Sequence, residues 1–192
     1  MTGAEALAGA TRRLNAAAIP DAPRDARRLL AHALGIEPGR LTLVLPDPLA
    51  PEAARRFEAA VVRRLAREPV SHITRSRAFY GREFHVTPAV LDPRPETETL
   101  IEAALAGPFD RVLDLGTGSG CILLTLLGER PGATGVGTDI SEDALAVARE
   151  NARRLGVATA DFRRADWFGD LSDQFDLIVS NPPYIAAEEM SG

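Results

Sequence analysis

The tetrapeptide Asn181-Pro182-Pro183-Tyr184 is the part of the sequence best suited to recognise a planar amino group. Its two prolines fix the backbone and donate no N–H, which leaves the Pro182 carbonyl free to point into a pocket. The side-chain amide oxygen of Asn181 is a second acceptor, and two adjacent acceptors match the two N–H bonds of an –NH2 group. Tyr184 adds a flat face that can stack on an amide or a base. The alternative is a proline-rich loop with a packed tyrosine.

A glycine-rich segment, residues 114–120 (DLGTGSG), follows an apolar segment and precedes a helical pattern. Glycines permit a tight turn and let a ligand approach the backbone closely. A dinucleotide fingerprint would need its third glycine at the position of Cys121, and the absence of lysine from the chain excludes a P-loop. The segment therefore predicts either a ligand site of another kind or an ordinary turn.

Two further carboxylates follow segments that resemble strands. Asp139 can accept both hydroxyl protons of a ribose, and the alternative role of helix cap suits Ser141 better. Asp166 can accept from an adenine amino group while Trp167 packs against the ring. Trp167 is the sole tryptophan and could equally belong to the core. Together with the glycines, these residues favour a nucleoside ligand.

Strands and helices that alternate after residue 108 would position these residues. Each predicted strand is almost continuously apolar, as expected for a parallel sheet that is covered on both faces. The carboxyl ends of parallel strands share one edge, so the glycines and Asn181 should meet there. We predict strands at 111–115, 133–139, 159–164 and 175–180, a helix up to about 129 and another at 141–155.

The front of the chain predicts a different organisation. Apolar residues at helical spacing indicate a small all-helical domain, with most arginines on the other faces of the helices. Aromatic and β-branched residues around Gly81 indicate a β-hairpin that continues as an extended connector. The predicted helices are 3–18, 21–35, 51–69 and 96–106, and the predicted domains are 1–72 (helical), 73–95 (connector) and 96–192 (α/β).

Composition limits the class of protein. The chain has 192 residues, of which 45% are hydrophobic and 26% charged, so it can bury a core and is neither disordered nor fibrous. No apolar run reaches the ~18 residues of a membrane span. The N-terminus is interrupted by Glu5, Arg12 and Arg13 and is not typical of a signal peptide. The lone cysteine suits a reducing, cytoplasmic setting, and no cluster of ligating residues predicts a metal.

The charge is unevenly distributed, with a net value of −5. Residues 1–75 hold 12 arginines and 8 acidic residues, whereas residues 76–192 hold 10 arginines and 19 acidic residues. The acidic part of the chain, residues 76–192, is poorly suited to bind the phosphate backbone of a nucleic acid. We therefore do not expect a nucleic acid as the direct substrate.

The motifs DLGTGSG, VGTDIS, ADWF and FDLIVSNPPYI, in this order and spacing, resemble those of class I S-adenosylmethionine-dependent methyltransferases that methylate amino groups. The upstream run FYGREFHVTPAVLDPRPETE and the helical front narrow the resemblance to the release factor glutamine methyltransferases. It extends from about residue 20 to 187 and is most specific over 79–184. The fold it implies is a Rossmann-like class I methyltransferase sheet, here with its first four strands.

The resemblance also implies roles for particular residues. The cofactor would be S-adenosylmethionine, with S-adenosylhomocysteine as product, and the substrate the glutamine of the GGQ loop of release factors, which the helical front helps to dock. Asn181, Pro182 and Tyr184 would be catalytic, and Pro183 would complete the substrate site with them. The cofactor would be bound at its methionine end by Gly116, Thr117, Gly118, Ser119 and Gly120, at its ribose by Asp139, at its adenine by Asp166 and Trp167, and also by Asn181.

Two other functions remain open at this point. A DNA adenine or RNA guanine methyltransferase could use the same tetrapeptide, because a base amino group is also a planar –NH2. A non-catalytic binding module with a vestigial nucleoside pocket is the other alternative. The family continues with three more strands, so we expect a shortened chain in which the strand at 175–180 is an exposed apolar edge.

Overall fold

The computed structural model describes residues 1–182, and it divides the chain into two compact units, Met1–Arg75 and Ser76–Gly192. The first unit is helical. Its helices are α1 (Gly3–Ala16), α2 (Ala22–Leu34), α3 (Leu41–Val44), α4 (Pro51–Leu65) and α5 (Val70–Thr74).

The ends of the long helices follow from local chemistry. Thr2 and Glu5 form a capping box, because each side chain accepts a hydrogen bond from the backbone N–H of the other residue. α2 begins after Asp21 and ends at Gly35, as predicted, although the Asp21 side chain makes no cap and its φ is +54°. α4 begins at Pro51, as predicted, but ends at Leu65 rather than at Pro69.

The helical unit buries its own core. The largest side chains that α1, α2 and α4 contribute include Leu14, Leu29, Leu30 and Phe57, all nearly inaccessible to solvent. Several arginines on the other faces make specific contacts rather than lying free in solvent. The Arg56 guanidinium donates to the Ala33 carbonyl at 3.0 and 2.8 Å, which satisfies a backbone acceptor at the end of α2.

The second unit begins with a β-hairpin of β1 (Ser76–Phe79) and β2 (Arg82–His85), which confirms the predicted hairpin. Tyr80 and Gly81 form its turn with φ values of +45° and +71°, as a two-residue type I′ turn requires. The hairpin is bonded to the helices that follow, because Glu98 accepts from the Tyr80 N–H and Asn151 bonds to both backbone groups of His85.

A four-stranded parallel sheet forms the centre of the second unit, in the order β5-β4-β3-β6. The α/β architecture is therefore confirmed. The strands are β3 (Arg111–Leu115), β4 (Thr134–Asp139), β5 (Ala160–Arg164) and β6 (Leu177–Ser180), and the helices are α6 (Glu98–Leu105), α7 (Cys121–Glu129) and α8 (Glu142–Leu155).

The two faces of the sheet are covered differently. On one face, residues of all three helices pack in a single core cluster with Val112, Phe162 and Val179 of the sheet. The opposite face carries a smaller cluster around Leu113 that is covered by Leu171 and Phe175 from the segment 165–176. The predicted coverage of both faces is therefore correct for β3 and β4 and wrong for the two outer strands, whose residues are largely exposed on one face.

The strand β6 lies at an edge of the sheet within the described residues, as predicted. Its Ile178 is paired in register with Leu113, on the face away from the helices, and is 52% exposed. The other edge, β5, places Asp161 and Arg163 on that same face. One edge is thus apolar and the other charged.

Within residues 1–182, none of the helices combines the length and the apolar character needed to cross a membrane.

Candidate functional site

A cleft of about 350 Å³ opens at the carboxyl ends of β3, β4 and β6. This volume is within the range of small-molecule sites in proteins, and its position is the one at which open α/β sheets bind ligands. The cleft brings together seven of the residues predicted from sequence: Gly116, Gly118, Asp139, Asp166, Trp167, Asn181 and Pro182.

The glycines of residues 114–120 serve two different purposes. Gly116 and Gly118 line the cleft with φ values of +69° and +55°, and nothing lies within 4 Å of where a Cβ would stand. Glycine is therefore needed at these two positions for its backbone conformation, and not because a side chain would collide with a neighbour. Gly120 also has a positive φ, but an added Cβ there would lie 3.2 Å from the Ala148 Cβ, so this glycine allows α7 and α8 to pack closely.

Thr117 and Ser119 do not line the cleft. The Thr117 hydroxyl donates to Asp114 Oδ2 at 2.7 Å, and its backbone N–H donates to the Thr138 carbonyl at 2.8 Å. The Ser119 carbonyl accepts from the buried Asn151 side chain at 2.9 Å. The structure places both residues, like Gly120, behind the wall of the cleft, where they fix the shape of the glycine turn.

Asp114 is a buried carboxyl that the sequence analysis did not include among the site residues. Its side chain is fully inaccessible to solvent, and burial raises its pKa to about 7 despite the hydrogen bond from Thr117. Its Oδ1 accepts no hydrogen bond from the described residues. The signal that could have found it is an acidic residue inside an otherwise apolar strand.

Asp139 lies on the wall of the cleft at the end of β4. Its Oδ2 accepts from the Gly118 N–H at 3.0 Å, and its Oδ1 accepts from the Ser141 N–H at 2.9 Å. Ser141 is the residue that caps α8, since its hydroxyl accepts from the Ala144 N–H. Each carboxylate oxygen of Asp139 retains a lone pair, so the group can still accept hydroxyl protons from a ligand.

Trp167 lies at the cleft rather than in the core. Its side chain is 59% exposed, and its φ of +53° is unusual for a large residue. The Thr138 hydroxyl donates to its carbonyl at 3.2 Å, which fixes the backbone in this conformation. Exposure of a large aromatic ring beside a cleft is typical of a binding surface, and Asp166 next to it is exposed as well.

The segment that carries Trp167, residues 165–176, is fastened at its far end. Asp173 pairs with both Arg111 and Arg163, each at 2.9 Å. Asp176 Oδ2 accepts from the backbone N–H groups of Asp110 and Arg111 at 3.0 and 2.9 Å, and these contacts lower the pKa of Asp176. The segment is therefore attached to the sheet through charged groups at the surface.

Asn181 and Pro182 follow β6 and line the same cleft as Gly116 and Gly118, which follow the neighbouring strand β3. The Asn181 Nδ2 donates to the Thr97 hydroxyl at 3.2 Å. The Ser180 hydroxyl donates to the Leu115 carbonyl at 2.9 Å, which ties the end of β6 to β3. Pro183 and Tyr184 lie outside the described residues.

One wall of the cleft, formed by Ala89, Val90 and Leu91, was not predicted from the sequence. These residues follow the hairpin, and Val90 packs with Val86 against α8 through Ala144 and Val147. Their only local signal is a short apolar run between two prolines. Among residues 1–182, no group of three or more histidine, cysteine and acidic side chains is arranged to hold a metal ion.

Two family models match the chain in separate regions. The model described as the PrmC N-terminal domain matches residues 5–74. The model described as the methyltransferase small domain matches residues 92–191, which is more than half of the chain.

Curated relatives match across both regions. The release factor glutamine methyltransferase of Cereibacter sphaeroides is 63% identical over 192 residues, which cover 100% of this chain and 69% of that protein. The protein of the same name from Rhodospirillum rubrum is 49% identical over 93% of this chain and 56% of its own length. The one from Bradyrhizobium diazoefficiens is 45% identical over 93% of this chain and 63% of its own length. The chain thus spans between 56% and 69% of these relatives.

Solved structures show a more limited likeness. A methyltransferase from Geobacter sulfurreducens in complex with S-adenosylhomocysteine is 39% identical, covers 45% of this chain and 36% of its own, and gives a TM-score of 0.39. The tRNA (uracil-54, C5)-methyltransferase of Pyrococcus abyssi is 21% identical, covers 56% of this chain and 28% of its own, and gives a TM-score of 0.48.

Proposed function

Because this chain belongs to the release factor glutamine methyltransferase family, we propose that it transfers a methyl group from S-adenosylmethionine to the side-chain amide nitrogen of a glutamine. The proposed substrate is the glutamine of the GGQ loop of peptide chain release factors, and the second product is S-adenosylhomocysteine. One observation carries the proposal: Asn181 and Pro182 line the same cleft as Gly116, Gly118 and Asp139.

The cleft fits S-adenosylmethionine in size and in the chemistry of its walls. Asp139 has carboxylate lone pairs for the ribose hydroxyls, and the exposed ring of Trp167 offers an apolar surface to the adenine. The backbone at Gly116 and Gly118 is open toward the methionine end. Bound S-adenosylmethionine supplies a methyl group on a sulfonium, a strong electrophile with a good leaving group. Direct contacts from Thr117, Ser119 and Gly120 stay a prediction.

The residues after β6 would hold the substrate nitrogen. A glutamine amide nitrogen is a weak nucleophile because its lone pair is delocalised into the carbonyl, so alignment with the methyl carbon and sulfur matters most. Such alignment contributes up to about 7–11 kcal/mol in well-oriented systems. The Asn181 Oδ1 and the Pro182 carbonyl would accept the two amide protons, and these bonds strengthen as positive charge develops on nitrogen. The nitrogen then loses its proton after methyl transfer, so no side chain needs to remove it first.

The remaining parts of the chain have proposed roles in substrate recognition. We assign docking of the release factor to the helical domain 1–72, the role of connector to 73–95, and the first part of the methyltransferase domain to 96–192. The excess of acidic residues in 76–192 supports a protein rather than a nucleic acid as substrate. A substrate that acts in translation places the protein in the cytoplasm.

Incubation of the chain with labelled S-adenosylmethionine and a release factor tests the proposal. Label should appear in the release factor and should be absent when the GGQ glutamine is replaced by alanine. Asn181→Ala should reduce turnover at least about 100-fold, whereas Arg154→Ala, an exposed residue on α8 outside the cleft and the docking domain, should leave turnover unchanged. Label in DNA or RNA would support the base methyltransferase alternative. Cofactor binding without any transfer would support the non-catalytic one.

A further inference from the structure

We propose that Thr97 is a positioning residue, which fixes the side-chain amide of Asn181 so that its oxygen faces the substrate; this inference rests on the proposed function. An asparagine amide has two chemically opposite ends. Rotated by 180°, it would present N–H donors to the substrate –NH2 group, and the site would lose one of its two acceptors.

In the observed orientation, the Nδ2 group of Asn181 lies on the side of Thr97. Asn181 Nδ2 donates to Thr97 Oγ1 at 3.2 Å, although the two residues are 84 positions apart. Because Nδ2 and Oδ1 lie on opposite sides of the amide, this bond turns Oδ1 away from Thr97. No donor among residues 1–182 bonds to Oδ1, so its lone pairs are available at the cleft that Asn181 lines.

The position of Thr97 in its own helix supports the assignment. It is the residue that precedes α6, where a threonine hydroxyl usually accepts from a free N–H of the helix. Here the hydroxyl makes no such cap. The side chain is buried and its hydroxyl is directed to Asn181 instead, which is the use a positioning residue would have.

The backbone around Thr97 is fixed as well. The single 3-10 turn Pro95–Thr97 has proline at its start, and the Thr97 N–H donates to the Arg94 carbonyl at 3.0 Å. On the other side of the contact, the Ser180 hydroxyl ties the end of β6 to Leu115. Both partners are therefore attached to ordered elements, so their bond can hold the Asn181 side chain in its observed position at the cleft.

Three variants of the full chain separate positioning from general structure. Thr97→Val keeps the shape and removes the hydroxyl, Thr97→Ser keeps the hydroxyl, and Thr99→Val changes an exposed threonine on α6 as a matched control. The first readout is the pair of side-chain amide resonances of Asn181 in a ¹⁵N-correlated NMR spectrum, assigned by their loss in Asn181→Ala. Both resonances should move in Thr97→Val and remain in place in Thr97→Ser and Thr99→Val.

The second readout is methyl transfer to the glutamine substrate. Thr97→Val should lower kcat by about fivefold, as expected for one hydrogen bond, with the KM for S-adenosylmethionine unchanged. Thr97→Ser should remain within about twofold of the wild type. Unmoved amide resonances in Thr97→Val, or equal losses in the Ser and Val variants, would overturn the inference. If Thr97→Val does not fold, Thr97→Ala replaces it in both measurements. Absence of glutamine methylation by the wild-type chain would refute the proposed function. The amide resonances would still show whether Thr97 and Asn181 are hydrogen-bonded.

Discussion

Two walls of the cleft are fastened by different kinds of contact. The glycine wall, residues 114–120 with Asp139, is fastened by two buried hydrogen bonds, Thr117 to Asp114 and Asn151 to Ser119, and by a partly buried one from the Gly118 N–H to Asp139. The tryptophan wall, residues 165–176, is fastened mainly at the surface through Asp173 and Asp176, beside the apolar contacts of Leu171 and Phe175 and one partly buried bond from Thr138.

The difference predicts how each wall responds to change. A buried polar group that loses its partner costs about 1–3 kcal/mol, whereas an exposed ion pair contributes about 0–1 kcal/mol and is screened by salt. The glycine wall should therefore be rigid and sensitive to substitution. The tryptophan wall should adjust to the ligand and tolerate substitution.

The largest effect is expected for Asn151→Ala. This fully buried side chain accepts from the His85 N–H and donates to the carbonyls of His85 and Ser119, so its loss removes three hydrogen bonds to the backbone. The free energy of unfolding of the second unit should fall by about 4 kcal/mol. This free energy is measured by unfolding in urea, monitored by the fluorescence of Trp167, the sole tryptophan.

Arg154→Ala is the matched control for this variant, because Arg154 is exposed on the same helix. Its unfolding midpoint should equal that of the wild type. If Asn151→Ala unfolds at the wild-type urea concentration, the glycine wall does not depend on buried hydrogen bonds and the contrast between the walls disappears.

A pH dependence should follow from Asp114. Because burial raises its pKa from 3.8 to about 7, its contribution to stability is fully present below pH 3.8 and is lost as the pH rises toward 7. Asp114→Asn does not titrate. Between pH 4 and 7 the wild type should lose about 3 kcal/mol of unfolding free energy relative to the variant, measured by urea unfolding at each pH.

The control is Asp110→Asn, which replaces an exposed aspartate just before the same strand. Its unfolding free energy should change with pH in parallel with that of the wild type over this range. Parallel curves for the wild type and Asp114→Asn would mean that the carboxyl stays ionised inside the glycine wall, contrary to the burial argument.

Asp139→Ala should chiefly weaken cofactor binding. Charge-assisted hydrogen bonds contribute about 1.5–3 kcal/mol, so the affinity for S-adenosylhomocysteine should fall about 30-fold in calorimetry. The control is Asp143→Ala, an exposed carboxylate on the first turn of α8. An unchanged affinity in Asp139→Ala would place the ribose elsewhere.

The parts of the molecule that sequence predicts well are those with local causes. Period-two and helical patterns, together with Gly81, Pro51 and Gly35, give the hairpin and the helix ends to within a few residues. The end of α4 differs because Arg67 takes a φ of +67°, so the helix ends at Leu65, four residues before the expected proline. No residue type near Leu65 predicts that the helix ends there.

The parts that sequence does not predict depend on contacts between distant segments. The bond between Thr97 and Asn181 and the wall at 89–91 exist only once the hairpin, α6 and β6 are assembled. A lone aromatic residue such as Trp167 gives no periodicity, so its position at the cleft could not be separated from a position in the core.

The smallest effect is expected for Asp173→Ala, on the tryptophan wall. Its arginine partners lower the pKa of Asp173, so the pairs persist at neutral pH and are lost only as the pH falls below the usual range of an aspartate. Screening by solvent keeps their contribution small. The affinity for S-adenosylhomocysteine, followed by Trp167 fluorescence, should fall by less than about threefold at low salt and not at all at high salt. Asp170→Ala, exposed in the same segment, should change nothing at either salt concentration. A loss as large as that of Asp139→Ala would show that both walls are equally rigid, because surface pairs alone cannot transmit such an effect.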